Sequence, residues 1–267
     1  MPSDDDRLWV DSMPEAYDRW LGAAVFRPFA VDLAARVADH RPGLVLEVAA
    51  GTGVLTRELV AALPGAALTA TDLNPAMVSL GSRQVPAARW EQADAAQLPY
   101  PDGRYDLVVS QFGVMFFPDK PAAFAEARRV LRPGGRLVFN TWDVVANHDF
   151  AAALVVGLER AFPGDPPSFV VALPHGYADR ATVVSDLTAG GLEAVAVESV
   201  TLEGHATSVA DVVAGFCTGT PLRAAIEARA DLAATMSIVS EEMVRQLGSG
   251  PVTARMTAHV FEARAKA

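Results

Sequence analysis

The sequence has very little cysteine and no excess of positive charge. Cys217 is the one cysteine among 267 residues, which excludes an internal disulfide and a zinc site built from several cysteines. Lysine and arginine number 22 against 32 aspartate and glutamate residues, so the net charge is -10. Nucleic-acid-binding proteins usually carry a basic patch, and this balance therefore argues against a nucleic-acid partner.

Long apolar segments and two common catalytic motifs are also missing. No apolar run reaches the length of a transmembrane helix, and the acidic Asp4-Asp5-Asp6 stretch is unlike a signal peptide. Neither a His-x-x-x-His nor a Gly-x-Ser-x-Gly pattern is present, and no metal site is predicted. We expect a cytoplasmic protein without a transmembrane segment. The sequence leaves its oligomeric state open.

What the chain does contain is a strand, a glycine turn and a helix in direct succession. The apolar run at 44–48 predicts a buried parallel strand, and Gly51 and Gly53 follow it. From Leu55 onward, leucines repeat every four residues, as on one face of a helix. Glycines let a backbone pass close to a ligand, and free N–H groups at a helix start favour an anionic group. The stretch therefore predicts a nucleotide-binding corner.

The side chains around the turn distinguish between two kinds of nucleotide. A dinucleotide fingerprint needs a third glycine, and Thr56 stands in its place, so a nicotinamide-dependent oxidoreductase is the weaker alternative. A carboxylate at Glu47 suits a ligand with an ammonium group, such as S-adenosyl-L-methionine (SAM), which has no phosphate. The pattern Glu47-x-Ala49-x-Gly51-x-Gly53 resembles the first motif of the class I SAM-dependent methyltransferases.

A second acidic residue follows at the distance that a ribose contact requires. Asp72 ends the next predicted strand, 21 positions beyond Gly51, where an acidic side chain is placed to accept hydrogen bonds from ribose hydroxyls. Leu73 and Met77 follow around a helix start at Pro75, and both are predicted to contact the cofactor. For Met77, an ordinary core position is the alternative.

The ends of the third and fourth predicted strands complete the set of cofactor contacts. In the resembled family an acidic side chain lies near the adenine amino group, and Ala93, Asp94 and Ala95 occupy that position. A turn aspartate that accepts from its own backbone is the alternative for Asp94. Gln111 and Phe112 end the fourth strand, and we expect them near the SAM methyl group because such sheets bind ligands at this edge.

Three further candidates lie outside the nucleotide-binding corner. The resemblance implies a helix that covers the cofactor, so Tyr17 is predicted to lie over SAM or else to be a packing aromatic. A general base is needed only if the acceptor stays protonated at neutral pH. His148 and His175 are the candidates for that catalytic role, with a structural or solvated histidine as the alternative reading of each.

The resemblance extends from Tyr17 to Trp142 and includes the Leu131-x-Pro-Gly-Gly-x-Leu string. The nearest group is that of the ubiquinone/menaquinone-biosynthesis and small-molecule methyltransferases. It implies an α/β fold, namely a Rossmann-like seven-stranded, mostly parallel sheet of order 3-2-1-4-5-7-6, with helices on both faces and a helical cap. The predicted divisions are an N-terminal cap at 1–40, a SAM-binding core at 41–142, substrate-cap segments at 143–191 and 203–250, and terminal strands at 192–202 and 251–267.

Helix periodicity also predicts the elements outside the resembled region. Residues 13–40 predict one or two helices with a break near Gly22 or Pro28. Farther along, separate helices are predicted at 221–236 and 241–247, and the strands at 192–202 and 252–263 are expected to be antiparallel to each other.

These features together predict a SAM-dependent methyltransferase (EC 2.1.1.-) that releases S-adenosyl-L-homocysteine (SAH). An aromatic patch after the fourth strand favours a small, fairly apolar acceptor, methylated at oxygen or carbon, as in secondary metabolism. A protein that binds SAM without transferring a methyl group is the alternative from another functional class. The nicotinamide-dependent oxidoreductase is the alternative enzyme.

Overall fold

The structure is a computed structural model that describes residues 13–265. The first twelve residues of the predicted N-terminal cap at 1–40 and the last two residues of the predicted strand region 251–267 lie outside the described residues. The chain divides into two compact units, which are described separately. The sheet unit comprises 30–142, 177–200 and 258–265, and the helical unit comprises 13–29, 143–176 and 201–257.

Seven strands form one sheet within residues 13–265, and their order is β3-β2-β1-β4-β5-β7-β6. The predicted α/β fold and its strand order are therefore confirmed. The strands are β1 (Leu44–Val48), β2 (Ala67–Asp72), β3 (Arg89–Gln92), β4 (Tyr105–Gln111), β5 (Leu131–Trp142), β6 (Leu192–Ala206) and β7 (Val252–Ala265).

Within residues 13–265, strands β1 to β6 run in the same direction and β7 runs the opposite way. β1 pairs in parallel with β2 and β4, β3 with β2, and β5 with β4, whereas β7 is antiparallel to β5. Side-chain hydrogen bonds join Ser199 to His259 and His205 to Thr253, so β6 and β7 run in opposite directions, as predicted. A parallel sheet is buried on both faces, which explains the nearly unbroken apolar run in β1.

Helices connect the strands of the sheet unit, and three of them begin after a short polar residue that caps the helix. Asn74 accepts a hydrogen bond from the Ala76 amide, and Asp119 accepts one from the Ala122 amide, which satisfies N–H groups that have no partner within the helix. The helices of this unit are α2 (Arg27–Asp39, from residue 30 on), α3 (Val54–Ala62), α4 (Pro75–Gln84), α5 (Lys120–Val130) and α8 (Arg180–Ala189).

Aromatic rings fill the interior of the sheet unit around Phe139, on β5. The Phe139 ring lies 5.0 Å from Phe261, stacked, and 5.4 Å from Phe124 of α5. All three side chains are at most 2% exposed. Because β5 lies between β4 and β7, this cluster fixes the middle of the sheet and hence the position of the strand ends at its carboxyl edge.

The helical unit begins with a π-helical segment where the sequence predicted a break. α1 (Met13–Ala16) passes directly into a π-helix at Tyr17–Phe26 and then into α2, so the predicted break near Gly22 or Pro28 is wrong. The Arg27 amide donates to the carbonyl of Gly22, five residues back. Pro28 lies close to the point where the backbone hydrogen bonds return from the π-helical to the α-helical pattern. Proline has no N–H to donate, and its position therefore coincides with this change of pattern.

The remaining helices of this unit correct a second boundary. The boundaries predicted for the helices at 221–236 and 241–247 are wrong, because the break between them lies after Glu227: the chain forms α10 (Leu222–Glu227) and then α11 (Leu232–Leu247). Asp231 lies inside the helix predicted at 221–236 and caps α11 instead, because its side chain accepts a hydrogen bond from the Ala234 amide at 2.8 Å. The unit also contains α6 (Asp149–Ala161), α7 (Phe169–Ala172) and α9 (Val209–Gly219).

Glycine allows the two longest helices of this unit to pack closely. A Cβ atom on Gly157 of α6 would lie 3.0 Å from Val239 of α11. Across residues 13–265, none of the helices combines the length and hydropathy needed to cross a membrane.

Candidate functional site

The predicted contacts of the sheet unit lie side by side at the carboxyl edge of the sheet. The strand order places β3, β2, β1 and β4 next to one another. Asp94 follows β3, Asp72 ends β2, and Glu47 lies near the end of β1. Gln111 ends β4, on the other side of β1. The structure thus brings together residues that are up to 64 positions apart in the sequence, at the edge where open α/β sheets bind ligands.

Glu47 is a buried carboxylic acid with an unused oxygen. The residue is 1% exposed, and its Oε2 has no hydrogen-bond partner among the described residues. Burial raises the pKa of Glu47 to about 8, and the nearby charge of Asp72 adds to this shift. The Thr56 hydroxyl opposes it, although its oxygen is not in good hydrogen-bond geometry. A cation placed against Glu47 would favour the ionised form.

Asp72 fastens the glycine turn to the end of β2. Its Oδ2 accepts from the Gly51 amide at 2.8 Å, and its Oδ1 accepts from the Asn74 amide at 2.9 Å. Burial raises the pKa of Asp72, and these two N–H donors oppose the shift. Each carboxylate oxygen has a second lone pair, so the side chain retains capacity for hydroxyl donors.

Further hydrogen bonds fix the first three strand ends against one another. The Thr71 hydroxyl donates to the Glu47 carbonyl at 3.0 Å, and the Ala50 amide donates to the Thr71 carbonyl at 2.9 Å. The Ala93 amide donates to the carbonyl of Asp72 at 3.1 Å. The positions of the acidic residues are therefore set by the backbone of three neighbouring strands.

The glycine turn leaves an open face at one glycine and packs tightly at the other. Ala49, Gly51 and Gly53 have positive φ angles of 55°, 58° and 91°. A Cβ on Gly51 would meet nothing within 4 Å, so the space beside this glycine is open. A Cβ on Gly53 would lie 3.1 Å from the Trp90 ring, which gives that glycine a packing role instead of a close approach to a ligand.

The predicted adenine contacts differ in exposure. Leu73 is an exposed apolar side chain at 42%, whereas Met77 is 4% exposed and belongs to the core of the sheet unit. Asp94 is exposed and its Oδ1 accepts from the Ala96 amide at 2.8 Å, so the self-capped turn named as its alternative is present. Ala93 and Ala95 are half-buried on either side.

The end of β4 is a strained turn supported by two residues of β5. Phe112 has a φ of 51°, and its amide donates to Asn140 Oδ1 at 2.9 Å. The Phe112 ring stacks on Trp142 with centroids 3.7 Å apart and an interplanar angle of 9°. A non-glycine residue in this conformation stores strain that the surrounding structure must support, and such residues are common at functional sites. Gln111, half-buried, precedes the turn.

Sequence reasoning missed Asn140 and Trp142. The available signal was one amide in the otherwise apolar end of β5, followed by a large aromatic two positions later on the same face. Asn140 is 1% exposed and Trp142 is 4% exposed. A polar side chain in a buried strand needs a hydrogen-bond partner, so an isolated amide at such a position indicates a specific contact.

The two histidine candidates lie together in the helical unit. Their rings are 5.4 Å apart and nearly perpendicular. His148 Nδ1 accepts from the Ala151 amide at 3.3 Å and so caps α6, while His175 Nδ1 lies 2.6 Å from the Asp143 carbonyl oxygen. Burial lowers the pKa of His148 to about 3 and also lowers that of His175. Both imidazoles are therefore neutral near pH 7.

Tyr17 also belongs to the helical unit. Its ring stacks on Phe26 at 4.7 Å, at the other end of the π-helical segment. A Cβ on Gly219 would lie 2.7 Å from the Tyr17 amide nitrogen, so the segment packs closely on the end of α9. The packing role is present, and the predicted role over the cofactor stays a prediction.

Comparison with known proteins shows similarity to methyltransferases over the sheet region. The family described as "Methyltransferase domain" matches residues 46–139. The demethylmenaquinone methyltransferase of Deinococcus radiodurans is 36% identical over 160 residues, which are 57% of this chain and 66% of that enzyme. The match thus spans just under two thirds of that relative. The ubiquinone/menaquinone biosynthesis C-methyltransferase of Burkholderia cenocepacia is 31% identical, with 59% of this chain and 71% of that enzyme covered.

A solved structure with a similar fold extends the comparison to almost the whole chain. The Haemonchus contortus phosphoethanolamine N-methyltransferase 2, in complex with phosphomonomethylethanolamine and S-adenosylhomocysteine, superimposes with a TM-score of 0.61. It is 13% identical, and the superposition covers 98% of this chain and 60% of that one. At this identity the likeness shows a shared fold.

Proposed function

Because the chain belongs to the class I SAM-dependent methyltransferases, we propose that it transfers a methyl group from SAM to oxygen or carbon of a small, fairly apolar organic acceptor. The observation that carries the proposal is the row of acidic side chains on three adjacent strand ends, with Glu47 buried and one of its oxygens without a partner among the described residues. This arrangement suits an adenosyl amino acid better than a dinucleotide.

The residues at the strand ends fit SAM on chemical grounds. Glu47 offers a carboxylate to the ammonium group, and Asp72 retains acceptor capacity for ribose hydroxyls. Gly51 leaves open space where a side chain would otherwise project. Leu73, just after β2, exposes an apolar side chain that offers a hydrophobic contact to an adenine, and Asp94, after β3, offers a hydrogen-bond acceptor.

The chain supplies binding, orientation and exclusion of water. When bound, SAM provides a methyl group on a positively charged sulfur, which leaves as a neutral thioether when a nucleophile displaces it. The main task of the protein is to hold that nucleophile in line and keep water away. The rigid turn at Phe112, fixed by Asn140 and Trp142, is suited to this task because its position is determined by β4 and β5 together.

The chemistry of the acceptor follows from the apolar side chains after β4 and from the relatives. Met115 and Phe112 are buried, and Phe116 and Phe117 are half-buried beside them. The two named relatives act in menaquinone and ubiquinone biosynthesis, by their names. An aromatic hydroxyl compound of the quinone-precursor type is therefore the acceptor class we propose, since it offers both a nucleophilic oxygen and an activated ring carbon.

An acceptor of this kind places little demand on a histidine base. Phenolic hydroxyls lose a proton more readily than alcohols, so a weak base or water is enough. A pKa of about 3 makes His148 a poor base near neutral pH. The acid–base role of His148 and His175 stays a prediction, and replacement of each by glutamine with measurement of turnover would test it.

The proposal is tested by incubating the protein with SAM that carries a labelled methyl group and a panel of hydroquinones, phenols and aliphatic alcohols. We expect a mass gain of one methyl group on an aromatic hydroxyl compound, and loss of that product in the Asp72→Ala variant. SAH binding without product formation on any member of the panel would indicate a SAM-binding protein that does not transfer methyl groups. Binding of NAD in place of SAH would contradict the proposal.

A further inference from the structure

Asn140 is a buried amide of which only one end is used. Its Oδ1 accepts from the Phe112 amide, and because a backbone N–H can only donate, this bond fixes which end of the carboxamide faces Phe112. The other end is therefore Nδ2. It is shielded from solvent and has no hydrogen-bond partner among residues 13–265. A buried donor without a partner is unfavourable and calls for an explanation.

A purely structural role explains only half of this side chain. The Oδ1 contact supports the strained turn at Phe112, where φ is 51°. That task requires an acceptor atom and nothing more. It gives no reason for a second polar group, with two N–H bonds, to be kept without a partner in the interior of the sheet unit. The nitrogen without a partner is thus the part of the residue that suggests a contact with a ligand.

The register of the sheet places Asn140 beyond the reacting end of the cofactor site. Glu47 is on β1, Gln111 on β4, and Asn140 is the residue paired with Gln111 on β5. Neighbouring strands are about 4.8 Å apart, so β5 lies roughly 10 Å from β1. If the adenosyl group extends over β2 and β3 and the amino acid end lies by Glu47, the space next along the edge is above β4 and β5. That space is where a methyl acceptor must lie.

We propose that Asn140 binds the methyl acceptor through Nδ2, donating a hydrogen bond to a carbonyl or phenolic oxygen of an aromatic acceptor while its Oδ1 holds the turn at Phe112. The inference rests on the proposed function and adds a substrate requirement to it. An acceptor with an oxygen that can accept a hydrogen bond satisfies Nδ2. A hydrocarbon ring of the same shape leaves it unpaired, and discrimination of this kind is strong when the polar group of the protein is buried.

The direct test compares two probes of the same shape that differ in oxygen. Menadione carries two carbonyl groups on a methylated naphthalene skeleton, and 2-methylnaphthalene carries none. We expect the SAH-loaded wild-type protein to bind menadione about tenfold more tightly than 2-methylnaphthalene. In Asn140→Leu, which has the same branched arrangement of heavy atoms and no polar atom, the two affinities should become equal. A preference that survives in Asn140→Leu would overturn the proposal.

A second variant guards against damage to the turn in Asn140→Leu. Asn140→Asp keeps an oxygen that accepts from Phe112, and its second oxygen donates a hydrogen bond only while the carboxyl group is protonated. The preference for menadione should therefore be present at about pH 5 and lost at about pH 9, whereas the wild-type preference should not change in this way. A preference in Asn140→Asp that is independent of pH would contradict the proposal.

Thr141→Val is the matched control. Thr141 is adjacent on β5 and so faces the other side of the sheet, and its Oγ1 is also buried without a partner among the described residues. We expect this variant to keep the wild-type preference for menadione. Loss of the preference there would mean that any change in this strand disturbs the site, and would refute the assignment to Asn140.

Titration of each variant with SAH separates this inference from the proposed function. A wild-type protein that does not bind SAH would refute the proposed function itself. SAH binding in the wild type and in both Asn140 variants, with loss of the menadione preference in Asn140→Leu, supports the inference. SAH binding with an unchanged preference refutes the inference and leaves the proposed function standing.

Discussion

A carboxylic acid with almost no solvent contact lies in the strand that leads into the glycine turn. Burial raises the pKa of Glu47 to about 8, so at neutral pH the unliganded folded protein binds a proton that the unfolded chain releases. A folded-state pKa above the unfolded value means that stability is greatest below about pH 4.5 for this group and declines as pH rises through about 8. The residue thus opposes folding at neutral pH, and its proposed contact with the ammonium group of SAM gives a reason for its presence.

Glu47→Gln should separate these two effects. The amide carries no charge at any pH, so we expect the free energy of unfolding without ligand to rise by roughly 2–3 kcal/mol at pH 7.5, while SAH affinity falls at least about 30-fold. Urea denaturation and SAH titration measure the two quantities. Glu159→Gln, at an exposed position of α6, is the control and should change neither. A less stable Glu47→Gln variant with unchanged SAH affinity would contradict this account.

The candidate site residues that the sequence singles out are those whose proposed chemistry follows from their spacing. Glu47 and Asp72 stand at fixed distances from Gly51, and those distances follow from strand and helix lengths that vary little. Asn140 has no such spacing. Its importance arises from register with Gln111 and from the conformation of Phe112, and neither is visible until β4 and β5 are paired.

At the level of single elements, the start of α6 depends on a buried histidine. His148 caps the helix with its neutral Nδ1, and burial lowers its pKa to about 3. A folded-state pKa below the unfolded value means that this stability is present above about pH 6.5 and is lost as pH falls toward about 3. His175, whose pKa burial also lowers, acts in the same direction.

His148→Asn keeps a capping side chain and removes the titration. Since asparagine is a good helix cap, we expect stability near pH 7 to stay close to that of the wild type. Between pH 7 and pH 5 the free energy of unfolding of the wild type should fall by about 2 kcal/mol more than that of the variant. The reason is that the unfolded wild-type chain binds a proton at His148 in this range, whereas the folded protein keeps His148 neutral. Urea denaturation at both pH values checks this. Equal losses in the two proteins would contradict the burial argument.

The contact of the π-helical segment with α9 depends on two glycines. A Cβ on Gly219 would lie 2.7 Å from the Tyr17 amide nitrogen, and one on Gly215 would lie 2.5 Å from the Leu21 side chain. We expect Gly219→Ala to lower the free energy of unfolding by about 1–3 kcal/mol through overpacking.

Thermal denaturation of Gly219→Ala against Gly65→Ala measures this effect. A Cβ on Gly65 would meet nothing within 4 Å, and the residue has no positive φ, so its replacement should be neutral or slightly stabilising. The same melting temperature for both variants would show that the segment is not closely packed on α9. The sequence did not reveal this contact because the 3.6-residue period of an α-helix does not describe a π-helical segment, whose hydrogen bonds join residues five apart.

For the whole molecule, the sheet was predictable and the irregular helices were not. Residues 44–142 contain apolar runs, glycine turns and acidic residues after strands. Each of these is a local sequence pattern that corresponds to an element of the folded structure. The split between α10 and α11 depends on one capping aspartate, Asp231, inside a stretch rich in helix-forming residues. Propensity alone therefore joined residues that the structure separates.

The charge of the molecule and its binding site point to the same class of ligand. A net charge of -10 is unfavourable for binding a polyanion, and the acidic residues of the strand ends are unfavourable for binding a pyrophosphate. A ligand with an ammonium group and a sulfonium, and with no phosphate, is favoured by both. We therefore expect an electrostatic preference for SAM over NAD that weakens at high salt.

Calorimetric titration with SAH at pH 7, in two buffers of different ionisation enthalpy, measures both the binding of the cofactor and the protons released with it. Glu47 is protonated in the free protein, and an ammonium group against it favours the carboxylate, so the account predicts one bound SAH and release of about one proton. Absence of SAH binding, or SAH binding without proton release, would contradict the assignment of Glu47 and of the three strand ends to the cofactor.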